Sequence, residues 1–169
     1  MNTLEDRLRG IAADSTDALG TLMRLLDEDP ATVERVCLAL GAADAPLRRG
    51  AELCLDRLKP ERLAPYTRRL VRLASITGET LQKAFFARLL PLLELDRSER
   101  SRLVILLEDW STETGDDHWH ASLDALVVIS AADAVLARRL KQFLERLAAH
   151  GDPRLAKRAT EILVAVGVA

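Results

Sequence analysis

The chain has 169 residues, 49% of them apolar and 30% charged, with a net charge of −2. That length and balance suffice for a hydrophobic core and exclude a wholly disordered chain. The small net charge, spread evenly along the sequence, gives no electrostatic case for a polyanion or a membrane surface as partner.

No run approaches the roughly 20 apolar residues that a membrane-spanning helix needs. The opening MNTLEDRLRG lacks the apolar region of a secretion signal, so the expected location is cytoplasmic. Cys37 and Cys54 are the only two cysteines. They are too few for a disulfide framework or a four-thiolate zinc site. Both fall on apolar helical positions and read as small buried hydrophobes.

Strand signals are absent, and Ala, Leu, Arg and Glu dominate, so the predicted elements are helices. Taken in chain order they fall into pairs. Leu4, Leu8 and Ile11 form a short apolar stripe, and Ala18, Leu22, Leu25 and Leu26 form another behind Ser15. Residues 1–28 read as a degenerate first pair. The second pair carries Val33, Cys37 and Leu40, then Leu47, Ala51, Cys54, Leu55 and Leu58 behind Asp44. The third carries Tyr66, Leu70 and Leu73, then Leu81, Phe85, Leu89 and Leu92 behind Gly78, with Arg88 breaking the stripe. The fourth carries Leu103, Leu107 and Trp110, then Trp119, Leu123, Leu126 and Val127 behind Asp116, with Ser130 off the pattern. The fifth carries Leu140, Leu144 and Leu147, then Leu155, Ala159, Ile162, Leu163 and Val166 behind Asp152 and Pro153. These spacings put the apolar residues on one face of each helix. Asp44, Asp116 and Asp152 stand where an N-cap carboxylate accepts from free backbone N–H groups.

The two templates recur about every 33 to 38 residues from the second pair onward, the signature of stacked helix pairs. A compact single-core bundle is the alternative arrangement of the same helices. DAPLRRGAELCL (44–55), with Arg48 one past the first apolar position, and DPRLAKRATEIL (152–163) resemble HEAT repeats. The third pair departs from that pattern, with Gly78 in the place of the aspartate. The resemblance covers roughly residues 29–167. It implies an all-α chain, a right-handed α-solenoid of about five antiparallel helix pairs. Residues 1–169 then form one domain, with four clearer pairs in 29–169.

The run EDWSTETGDDHWHASLDAL (108–126) holds both tryptophans, two histidines and a knot of carboxylates. In the repeat alignment Trp110 takes the column of Leu40, Leu73 and Leu147. Trp119 takes that of Leu47, Leu81 and Leu155. Both therefore read as core. His118 and His120 lie two apart, which on a helix points them about 200° around the axis from each other. Helical zinc sites use a spacing of four, so no metal is expected. There is no Gly-rich phosphate loop and no nucleophile elbow, hence no cofactor and no catalytic residues are assigned.

The resemblance places the second helices on the concave surface. The polar candidates there are Arg49, Lys83, His120, Asp124 and Lys157. Phe86, Leu90, Val128 and Val164 share that surface in the alignment. They are either packing against the adjacent repeat or the apolar ridge of a protein-binding groove. The expected function is a non-catalytic protein–protein interaction or scaffold module. The alternative is a nucleic-acid-binding solenoid, for which the basic clusters Arg68/Arg69/Arg72, Arg97/Arg100/Arg102 and Arg138/Arg139/Lys141 are the case. Each cluster is balanced by nearby acids, which disfavours it. The apolar ending ILVAVGVA (162–169) either folds back on the fifth pair or packs against another subunit as a homodimer.

Overall fold

A computed structural model describes residues 3–12, 16–113 and 118–166. The described residues are helical, with no strand among them, so the all-α expectation holds. In chain order the helices are α1 (Leu4–Ala12), α2 (Thr16–Glu28), α3 (Pro30–Ala39), α4 (Ala45–Leu55), the one-turn α5 (Pro60–Leu63), α6 (Thr67–Ala74), α7 (Thr80–Leu89), α8 (Arg97–Thr112), α9 (His118–Ser130), α10 (Ala134–His150) and α11 (Pro153–Ala165). Short 3-10 turns occupy Ala64–Tyr66 and Leu90–Leu92. Both helices of each expected pair are present. Among the described residues no helix is long and apolar enough to cross a membrane.

Aspartates start the helices. Asp44 accepts from the Leu47 amide at 3.1 Å and Asp152 from the Arg154 amide at 2.9 Å. The same device starts first helices, where the sequence reading assigned none. Asp29 accepts from the Ala31 amide, and Asp133 from the Val135 and Leu136 amides. Asp96 and Glu99 form a reciprocal capping box, each side chain accepting from the other's backbone N–H. Each such cap satisfies amides that the helix cannot bond internally and contributes about 1 kcal/mol. The expected caps at Ser15 and Asp116 lie outside the described residues.

The chain forms two compact units, one of Met1–Thr77 with Leu92–Glu94 and one of Gly78–Pro91 with Leu95–Ala169. In the first, α1 lies along α4. The approach is close because residue 50 is glycine; a Cβ there would collide with the Leu8 carbonyl. Leu8, Leu22, Leu26, Val36, Cys37 and Leu55 are sealed in this core. Polar ties cross it. The Arg9 Nε donates to Asp44 Oδ2 at 2.8 Å. The Arg62 guanidinium donates to the Leu26 and Asp27 carbonyls at the end of α2. Tyr66 donates to the Pro30 carbonyl and Arg69 to Glu34. The partners stand 35 or 36 residues apart in sequence.

In the second unit α9 is the hub, packing on α7, α8 and α10, while α10 packs on α11. Trp110 and Trp119 are buried, as their repeat columns imply. Here too ionic ties span about one repeat. Lys83 meets Glu113, Arg139 meets Glu108 and Arg158 meets Asp124, at separations of 30, 31 and 34 residues.

The third pair corrects the sequence reading. Leu81 and Leu92, taken as core, are 71% and 60% exposed. The helix begins at Thr80 with Glu79, not Gly78, as its N-cap, and the template lands one residue later. Gln82, Phe86, Leu89, Leu90 and Leu93 then fill its five apolar columns, and all five are buried. The slip arose because Glu79 makes no side-chain cap hydrogen bond and leucines stand on both candidate faces. The larger apolar surface of Phe86 and Leu90 decides which face turns inward. Val166, also assigned to the core, is about half exposed, because it follows the last helical turn.

Candidate functional site

The seven residues that the sequence placed on one binding surface fall in both units and differ in burial. Arg49 lies on α4 in the first unit. It is exposed and donates to Glu52 at 2.9 Å, screening a carboxylate that is otherwise buried. The other six lie in the second unit. Phe86 and Leu90 have no solvent exposure. They are packing residues, not a groove, as the register shift of α7 requires. Lys83 is also buried, its ammonium 2.6 Å from both oxygens of Glu113.

His120, Asp124 and Lys157 remain at the surface. They sit on neighbouring helices, because Arg158 of α11 donates to Asp124 of α9 at 2.9 Å and to Glu161 at 3.3 Å. Those two carboxylates hold the Arg158 guanidinium above its ordinary pKa. Val128 follows Asp124 by one helical turn, and Val164 follows Glu161 by nearly one, so both share the sides that these groups mark. Val128 is 54% exposed and Val164 76%. The His120 ring stacks on Trp119, centroids 3.4 Å apart. The α9–α11 surface is therefore two bare valines among His120, Asp124 and Lys157. Arg158 was missed as the residue that organises it. Its signal was an acid and a base at equivalent helices one repeat apart.

A second constellation lies inside the run 108–126. Glu113, just past α8, accepts from Lys83 of α7 and meets His118 Nε2 of α9 at 3.1 Å. His118 is buried, and among the described residues its Nδ1 has no partner. One carboxylate thus ties three elements together. The ammonium on it opposes a metal cation at the same oxygens. Among the described residues no three His, Cys, Asp or Glu side chains are placed to share an ion; Asp116 and Asp117 lie outside them. The nearby hydroxyls are committed. Ser111 donates to the Leu107 carbonyl and Ser122 to the His118 carbonyl. The geometry suits a structural clasp.

An open cleft of about 540 Å³ runs between α8, α10 and α11. Its polar walls are largely occupied. Glu108 pairs with Arg139, Asp152 caps α11, and Arg146 lies 6.0 Å over the Phe143 ring. In the first unit burial pushes the thiols of Cys37 and Cys54 up to about 12. The Asp44 carboxyl is held below its ordinary range, first by Arg9 and then by the Leu47 amide.

No protein-family model, curated protein or solved structure matches the chain.

Proposed function

We propose that the chain is a non-catalytic protein-interaction module built of HEAT-like helix pairs, binding its partner on the face shared by α9 and α11. The observation that carries this reading is the exposure of Val128 and Val164 on adjacent helices, 54% and 76%. Their charged surroundings give orientation. Apolar side chains left bare on a surface tied together by an Arg–Asp pair suit a protein partner better than water. The stacking of successive pairs, as in a right-handed α-solenoid, is supported by polar ties that recur within each unit at 30 to 36 residues. Equivalent residues of neighbouring repeats meet at that separation.

A protein partner is favoured over nucleic acid because arginines of the basic clusters are spent on carboxylates. Arg69 pairs with Glu34 and Arg139 with Glu108. Phosphate binding needs free cations and falls steeply with salt. The test is a pull-down of the tagged full chain from its native lysate, with and without nuclease and at two salt concentrations. Protein capture that survives both treatments supports the module. Capture that vanishes with nuclease and salt replaces it with nucleic-acid binding. Light scattering across a concentration series shows whether the partner is a second copy.

A further inference from the structure

The pattern breaks at Ser130. In the eleventh position past the first apolar residue, the second and third pairs bury Leu58 and Leu93. The fourth pair has Ser130 there, also buried, at 2% exposure. Replacing a leucine by a serine removes apolar volume from a packed column, and the space stays open unless neighbours collapse into it. It has stayed open. A cavity of about 150 Å³ lies there between α9, α10 and α11, walled chiefly by Val127, Leu140, Leu144 and Leu163. An apolar space of about that size is large enough for a benzene-sized guest.

Two polar groups interrupt the apolar wall. Ser130 is the first. The other two buried serines, Ser111 and Ser122, each donate to the carbonyl four residues back. Ser130 makes no such bond among the described residues, and its Oγ is not one of the sealed, unpartnered atoms, so it faces the cavity open to a water or a ligand head. The second is Lys141, the one charged residue among the described residues of the wall. Its side chain is 42% exposed, so the cavity reaches solvent on that side. Among the described residues its one ion pair, with Glu145, is at 3.9 Å, too long to hold the ammonium in place.

We propose that this cavity is a binding site for a small amphiphilic carboxylate, an apolar group of roughly benzene size carrying one anionic head. The apolar group fills the space that the missing leucine leaves. The head accepts from Ser130 Oγ and pairs with the Lys141 ammonium. This site is separate from the α9–α11 protein face and does not depend on it.

The experiment is a ¹H–¹⁵N NMR titration of the full chain with hexanoate, against acetate (head only) and hexanol (tail only). Hexanoate is expected to give saturable shifts confined to α9, α10 and α11, at an affinity about tenfold above either fragment. Lys141→Gln, a surface change that leaves the fold intact, is expected to bring hexanoate down to the level of hexanol. Ser130→Leu restores the residue of the other pairs. It is expected to melt no lower than the wild type and to abolish binding. Absence of saturable shifts, shifts scattered over both units, or equal binding of hexanol and hexanoate to the wild type would each overturn the proposal.

Discussion

Gly50 and Gly20 both sit inside helices, yet alanine has opposite expected effects at the two. At Gly50 the added methyl meets the Leu8 backbone, which cannot swing aside as a side chain would. Gly50→Ala is expected to lower stability by about 1–3 kcal/mol, overriding the gain in helix propensity. At Gly20 nothing lies within 4 Å of the new methyl. Gly20→Ala is expected to raise stability by up to about 1 kcal/mol. Thermal melts of the two variants check both signs. The cysteines give a second residue-scale prediction. With pKa values near 12 from burial, Cys37 and Cys54 are scarcely ionised at pH 8, and the thiolate is the reactive form. Labelling by a thiol reagent is expected to follow global unfolding, and rapid labelling of the native chain would contradict it. Much at this scale was legible. The Asp-Pro and Asp-Ala-Pro starts announced their caps, and leucine columns announced the core. Gly50 was not legible, because a glycine required by a helix crossing carries no local signature. The Glu113–Lys83–His118 clasp was equally hidden, since its members come from three elements that only the fold brings together.

At the scale of the element, α7 shows how far periodicity reaches. Helical spacing located it and its partner helices, but two registers one residue apart both placed leucines on the inner face. Cap chemistry normally settles such a tie, and α7 has a glutamate N-cap whose side chain makes no cap hydrogen bond. The slip put Phe86 and Leu90 on the candidate surface and Leu81 in the core. The corrected register reverses both, and it makes a prediction. Phe86→Ala and Leu90→Ala are expected to cost about 3–5 and 2–5 kcal/mol. Leu81→Ser is expected to stay within about 0.5 kcal/mol of the wild type, as exposed sites do. Chemical denaturation of the three variants reads the difference. A large loss at Leu81 with small ones at Phe86 and Leu90 would restore the uncorrected register. Where the fourth and fifth pairs kept strong columns, as at Trp119, Leu123, Leu155 and Ala159, the face was read correctly from sequence.

Across the whole molecule, the candidate surface narrows to what remains exposed. Within the second unit, Lys83, Phe86 and Leu90 are buried; Arg49 is exposed in the first unit. His120, Asp124, Val128, Lys157 and Val164 remain on α9 and α11. The sequence supplied every one of these residues but could not separate them from the buried ones. Exposure depends on which face each helix turns inward, and that is set by neighbours a repeat away. The Arg158–Asp124 tie, spanning 34 residues, is the contact that makes one surface of two helices. The most direct measurement is a pull-down from native lysate with the wild type and a Val128→Asp, Val164→Asp double variant, both shown by circular dichroism to be folded. The proposed function predicts a nuclease-insensitive protein partner retained by the wild type and lost by the double variant. Identical capture by both would contradict it and move the binding surface away from α9 and α11.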